Sequence, residues 1–396
     1  MIFLYVNHPL YRHGDRYFAP TRNFVDFMAV LAEQGDNYQL IVPCREVGEQ
    51  EIEDLSELHL PGEVHEVAFY RGHLAALLKT PIQAFRIRQI VSRAASIERV
   101  CIGGPGPNSM LFWLSLLLPK STRFLFFIRG DTVETVRHIY RDRWWGKLPV
   151  AISGLFQKRI FDLLGQERAV VFTYGEALEA KYRAHGQAVH TISPLIDESV
   201  VRETPRPPIP QDRSLRVLFV GRLSAEKGVS ELVAALARLR SRGIELRLDV
   251  AGTGVLQDRL QEEAAREEVS DFVTFHGHVP PGPMLWDLYD SCDLLCLPSR
   301  TEGTPRVVVE AFARGMPVLA TRVGSIESMF PENLVFIEKG TPDGIAEGLA
   351  WCDQNRERLS ESGRNGQAAV DRFLLSSNAA YVDKVLKGSS EQVIPE

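Results

Sequence analysis

Short runs of β-branched and aromatic residues alternate with longer segments of helical period along almost the whole chain. In the first half the runs fall at 2–6, 38–42, 100–103, 124–128, 169–173 and 189–192, and in the second at 216–220, 246–251, 272–275, 294–297, 318–321 and 335–337. Strands covered on both faces by crossover helices read as continuous apolar runs of this kind. The pattern predicts an α/β chain with two doubly wound, Rossmann-like domains. Between the two series lies Arg202-Glu203-Thr204-Pro205-Arg206-Pro207-Pro208-Ile209-Pro210-Gln211, with four prolines in ten residues, a composition suited to a stiff extended linker. The expected division is a first domain over 1–201, a linker over 202–213, a second domain over 214–365 and a terminal helix over 366–388.

The 396 residues suit two domains, and 45% hydrophobic with 24% charged residues is ordinary for a globular protein. Met1-Ile2-Phe3-Leu4-Tyr5-Val6-Asn7-His8 lacks a basic n-region and reads as a first buried strand rather than a signal peptide. The longest apolar stretch, Met110 to Leu118, is about half of what spans a bilayer, so no transmembrane segment is expected. A formal charge of -6 argues against a nucleic-acid binder. That figure conceals a net -8 over residues 1–70 and a net +10 over 71–168. The basic block also holds Phe112-Trp113, Phe124 to Ile128 and Tyr140-Arg141-Asp142-Arg143-Trp144-Trp145-Gly146-Lys147-Leu148. Cations interleaved with tryptophan suit an anionic membrane surface or a lipid-diphosphate acceptor, the alternative being a solvated basic face over core aromatics. Five cysteines without a C-x-x-C pair point to reduced, buried thiols in a cytosolic protein, and the ten histidines show no metal spacing, so no metal is expected.

In open α/β sheets ligands sit beyond the carboxyl ends of the strands, which directs attention to the loops there. The segment from Pro298 to Gly315 reads as strand, loop and helix, with Thr304 suited to the N-cap, Pro305 to the first helical position and Gly315 to the stop. Glu302 then precedes the helix, and Glu310 lies more than a turn inside it. A helix N-terminus favours phosphate, and a carboxylate on either side of it can accept from the hydroxyls that flank a diphosphate, as in a nucleotide-sugar. The other informative loop is Gly221-Arg222-Leu223-Ser224-Ala225-Glu226-Lys227-Gly228. Each of its two cations, placed ~4 Å from a phosphate charge, contributes on the order of 4 kcal/mol at an effective dielectric of 20.

Together these segments resemble the retaining glycosyltransferases of family 4, also called group 1, whose fold is the GT-B type with two Rossmann-like domains facing across a cleft. The resemblance rests on G-R-L-S-x-E-K-G at 221–228, A-G-T-G at 251–254, F-x-G at 275–277, P-S-x-x-E-G-T-P at 298–305, the glutamates at 302 and 310, G-x-P-V at 315–318 and V-G-S-I at 323–326. It implies a metal-independent enzyme without a cofactor, in which Arg222 and Lys227 hold the donor diphosphate, Glu302 contacts the donor sugar and Glu310 binds the ribose. Gly221, Gly303, Thr304 and Pro305 would complete the donor site. Gly252 to Gly254 and His276 to Val279, with Gly277 between, would flank the base, and the terminal helix would cross back to the first domain.

The first half resembles the family less. Where relatives carry a Gly-Gly loop after the first strand, this chain has Tyr11-Arg12-His13-Gly14-Asp15-Arg16, and where relatives often place a histidine it has Phe126-Phe127-Ile128-Arg129-Gly130-Asp131. His13, Asp15, Arg129 and Asp131 are therefore the acceptor-side candidates, an Arg129–Asp131 structural pair being the alternative for the last two. Gly103-Gly104-Pro105-Gly106-Pro107 has too much proline for a dinucleotide fingerprint and reads as a cleft loop. The expected activity is sugar transfer from a nucleotide-diphosphate sugar to a glycan or lipid-linked acceptor in cell-surface polysaccharide biosynthesis, in the cytoplasm or at the inner membrane face. A sugar-nucleotide 2-epimerase and a catalytically silent sugar-nucleotide-binding protein are the alternatives.

Overall fold

The computed structural model of the chain describes residues 2–6, 8–19, 23–35, 38–52, 55–69, 73–93, 99–103, 109–128, 130–140, 147–174, 176–191, 196–338 and 340–386. It divides into one unit made of Met1–Pro194 with Leu375–Glu396 and a second made of Leu195–Leu374.

The first unit is built on a ten-stranded sheet. Its strands are β1 (Ile2–Val6), β2 (Leu10–His13), β3 (Arg16–Ala19), β4 (Tyr38–Glu46), β5 (Ser56–Leu58), β6 (Val64–Ala68), β7 (Arg99–Gly103), β8 (Arg123–Ile128), β9 (Ala169–Thr173) and β10 (Ala188–His190). They lie in the order β10-β9-β8-β7-β1-β4-β2-β3-β5, with β6 also paired to β4. The period of two along β1 shows how the sheet is covered. Ile2, Leu4 and Val6 point into a core with helices Asn23–Ala32 and Leu375–Leu386. Phe3 and Tyr5 point into the opposite core, with helices His73–Val91, Ser109–Leu117 and Lys147–Gly165.

The segment 10–19 is not a loop. It folds as an antiparallel hairpin of β2 and β3 in which His13 pairs with Arg16, and Gly14 at φ +59° opens its two-residue turn, the position a II′ turn gives to glycine. These short strands carry Arg12, His13 and Arg16, so they lack the apolar run that marks the central strands.

The second unit has six parallel strands, β11 (Arg216–Val220), β12 (Arg247–Ala251), β13 (Val273–Gly277), β14 (Leu294–Leu297), β15 (Val318–Thr321) and β16 (Leu334–Ile337), in the order β13-β12-β11-β14-β15-β16. The chain runs outward from β11 to β13, then returns to β11's other side with β14. The switch point of the sheet is therefore the β11/β14 boundary, where ligands bind in open α/β folds. Val217 and Phe219 anchor the core beneath helices Val229–Ser241 and Pro342–Gln354.

Two expectations about the connections change. Residues 202–213 are not a free spacer, because they pack into the second unit. Arg206 is buried and donates to the carbonyls of Tyr289, Cys292 and Arg314. Ile209 lies in the core, and buried Arg356 holds the Pro210 and Arg213 carbonyls. The tail is also not one helix over 366–388: Arg356–Ala368 ends in the second unit, a 3-10 turn at Asp371–Phe373 follows, and Leu375–Leu386 packs in the first.

Candidate functional site

At the switch point the loops after β11 and β14 meet. Lys227 closes the short 3-10 turn Ala225–Lys227 that follows β11, and Glu302 lies between β14 and helix Arg306–Ala313. Lys227 Nζ donates to Glu302 Oε1 at 2.6 Å, and Ser299 Oγ donates to the same oxygen at 2.7 Å. Both members of this ion pair are largely shielded, with side-chain exposures of 17% and 7%. Backbone contacts lock the surrounding loops together: Arg300 N donates to Glu226 O at 2.8 Å, Leu223 N to Thr253 O at 2.9 Å and Gly252 N to Gly277 O at 2.7 Å. Two glycines make this possible. A Cβ on Gly252 (φ +145°) would collide with the Gly221 carbonyl, and one on Gly228 (φ +69°) with that of Pro298. Gly254 likewise lies against Leu223, and Gly303 O accepts from Ser325 N and Oγ at 3.2 and 2.6 Å.

Arg222 differs from Lys227: its side chain is 77% exposed and lies 3.5 Å from Glu226, a weak tether that leaves it able to turn toward an incoming anion. The helix after Glu302 starts at Arg306, so Pro305 rather than Thr304 occupies the cap, and no side chain caps the first turn. Glu310, one turn further in, is buried. Its Oε2 accepts from Tyr289 OH at 3.0 Å, and its Oε1 pairs with Arg306 Nε at 2.6 Å. Burial pushes its carboxyl above the usual range, although Arg306 and Tyr289 pull in the opposite direction.

On the side expected to flank the base, part of the segment is taken up by the sheet. His276 is a residue of β13 rather than of a loop, and its Nε2 lies 2.8 Å from Oδ1 of buried Asp249 on β12. That carboxylate also takes Arg216, so His276 is held to the sheet, Gly277 ends β13, and only His278 and Val279 remain in the connection that follows.

Among the described residues, no contact gathers the acceptor-side candidates His13, Asp15 and Asp131 into one cluster. His13 Nδ1 lies 3.0 Å from Val47 O, and Asp15 is exposed in the hairpin turn. Asp131 is held in place at a helix start: its Oδ1 accepts from the backbone N–H of Val133 and Glu134 at the start of helix Thr132–Ile139, and Lys181 Nζ donates to its Oδ2 at 2.6 Å. Arg129 lies outside the described residues, as do Gly104 to Pro107 and Arg141 to Gly146. Among the described residues, Lys181 is the cation seen on Asp131.

Sequence reasoning did not single out Ser299, Tyr289, Arg306 or Ser325. Ser299 stands inside the P-S-x-x-E motif and was within reach of it. Tyr289, 21 residues before Glu310, carries no local signal.

Residues 201–369 match the family model described as "Glycosyl transferases group 1". The chain is similar to a D-inositol 3-phosphate glycosyltransferase of Segniliparus rotundus, 30% identical over 226 residues, which is 54% of this chain and 50% of that protein. The chain thus spans about half the length of that curated relative. Among solved structures, it is similar to a sucrose-phosphate synthase of Thermosynechococcus elongatus (TM-score 0.67, 16% identity, 98% of each chain). It also resembles Anabaena HepE in complex with UDP (TM-score 0.64, 17% identity, 98% of this chain and 100% of that one). These likenesses establish the fold as the GT-B type, with two Rossmann-like units.

Proposed function

We propose that this chain, which carries a group 1 glycosyltransferase unit in residues 201–369, transfers a sugar with retention from a nucleotide-diphosphate sugar to a glycan or lipid-linked acceptor. The observation that carries this reading is the Lys227–Glu302 pair at the sheet's switch point. A donor diphosphate arriving there offers Lys227 a stronger anion than one shared carboxylate oxygen. As Lys227 turns to it, Glu302, still held by Ser299, becomes an acceptor for sugar hydroxyls. Arg222 adds a second cation from its exposed position. As the glycosidic bond breaks, negative charge builds on the leaving diphosphate, and cations already in place stabilise it without reorganisation. That diphosphate, leaving on the face the acceptor attacks, takes the acceptor's proton. The cations do the work a metal would do, so activity should survive a chelator. The UDP bound in the related HepE structure supports a nucleotide donor. The basic block at 71–168 suits an anionic membrane as the place where a lipid-linked acceptor is met, which would put the enzyme at the inner membrane face.

The test is Lys227→Ala. Turnover should fall by about 10²–10³-fold, with a modest loss of thermal stability because Glu302 is left shielded without its cation. Near wild-type turnover would sink the assignment. Thermal shifts with UDP, GDP, ADP and their sugars identify the donor, and incubation with donor alone should give no epimer.

A further inference from the structure

Among the described residues, eight large hydrophobic side chains are strongly exposed, and six of them lie on three helices of the first unit: Leu78, Ile82, Phe85, Leu116, Leu148 and Leu155. These helices, His73–Val91, Ser109–Leu117 and Lys147–Gly165, cover the same face of the sheet, and the middle one packs against both others. On each helix the sheet-facing side is identified by its buried residues, such as Ala84, Ile87 and Val91 on the first and Ile160, Leu163 and Leu164 on the third. At about 100° per residue, the stripe Leu78-Ile82-Phe85 falls nearly opposite the first set, whereas Leu148 and Leu155 lie about 115° and about 135° from the mean direction of the second, on the flank of the helix turned from the sheet. Leu116 is likewise opposite Met110, Leu111 and Leu114. The six side chains are therefore all turned away from the sheet into solvent.

Cations accompany them. Lys79 and Arg86 flank the first stripe, Lys147 adjoins Leu148, and Lys158 follows Leu155, all exposed. The three helices carry six lysines and arginines against one acid, Asp162. Water-facing apolar stripes set among lysine and arginine are the composition of a helix that lies in a membrane interface. A second copy of this face would meet it cation against cation.

We propose that the outward side of these three helices is a docking surface for an anionic lipid bilayer. The proposal deepens the membrane reading above by naming the surface, and is independent of the donor site. The leucines, Ile82 and Phe85 enter the headgroup boundary while the lysines and arginines meet lipid phosphates, each cation adding to the attraction within a Debye length of the surface.

The test is co-sedimentation of the full chain with vesicles of phosphatidylcholine alone or mixed with phosphatidylglycerol, at physiological and high salt. Binding should require phosphatidylglycerol and weaken at high salt. The triple variant Leu78→Ser, Ile82→Ser, Phe85→Ser and the double variant Lys79→Glu, Arg86→Glu should each lose at least about fivefold in bound fraction, with unchanged thermal unfolding. Met284→Ser, an exposed apolar site in the second unit, should bind as wild type. Absence of binding to anionic vesicles overturns the membrane reading and the surface together. Binding that the helix variants leave intact overturns the surface alone, as does a dimer in solution that the triple variant converts to monomer. Nucleotide thermal shifts on the same variants report the donor site separately.

Discussion

Glu310 sits where burial opposes its charge while Arg306 and Tyr289 sustain it. If its carboxylate accepts ribose hydroxyls, the proton must be off before the nucleotide binds. Because the carboxyl is raised above its usual value, affinity should fall as pH drops toward that raised pKa, by up to about tenfold per pH unit below it. Calorimetry across pH should show this dependence in the wild type and a flat profile in Glu310→Gln. Tyr289→Phe removes a hydrogen bond to the ionised form, so the same profile should move to higher pH. The linkage to folding has the opposite sense: the folded form holds this proton more tightly, so Glu310's contribution to stability is present below its unfolded pKa and is lost as pH rises through the folded one. The positions of Lys227 and Glu302 were legible in the sequence because loop motifs place specific side chains next to strand ends, and that of Glu310 because the same motif runs on into the helix. Their partners were less so, since Tyr289 meets Glu310 only through packing of two helices far apart in the chain.

Elements were read best where they are most buried. Every strand of the second unit lies within two residues of its expected position, because a parallel strand covered on both faces has no polar alternation to obscure it. The hairpin of β2 and β3 and the short strands β5 and β6 escaped for the opposite reason, being short and half-polar. The proline-rich 202–213 segment was read as a spacer from local stiffness, yet Arg206 and Arg356 fasten it through carbonyls scattered over more than 100 residues of sequence. Asp131 illustrates how an element engages a residue that a motif also offers to chemistry. It caps helix Thr132–Ile139 and pairs with Lys181, and although burial works against its charge, the Lys181 and backbone hydrogen bonds hold its carboxyl below the usual range. Asp131→Ala should cost about 0.5–2 kcal/mol in denaturant melts at neutral pH. A depressed pKa stabilises above the unfolded value and ceases to do so as pH falls through the folded one. The difference between wild type and variant should therefore shrink only below the ordinary carboxylate range.

At the scale of the whole molecule, the first unit is discontinuous in sequence, closed by a helix that the chain supplies after completing the second. Leu375, Ala379 and Val382 enter the core beside Val25, Met28 and Leu31, and buried Tyr38 donates to Asp383 Oδ1 at 2.7 Å. Burying Leu375 and Val382 contributes roughly 1.5–3 kcal/mol each, so a chain ending at Leu374 should lose on the order of 5 kcal/mol, a large share of what a domain has. The damage should be confined by topology, because Leu374 bridges to Ile196 within the second unit and the switch point of β11 and β14 keeps all its strands. Hydrogen exchange measured strand by strand separates the outcomes. Amides of β1 and β4 should lose protection in the truncated chain, while those of β11 and the nucleotide-induced thermal shift should persist. Equal loss in β11 would show that the two units share one cooperative transition and that the terminal helix stabilises both.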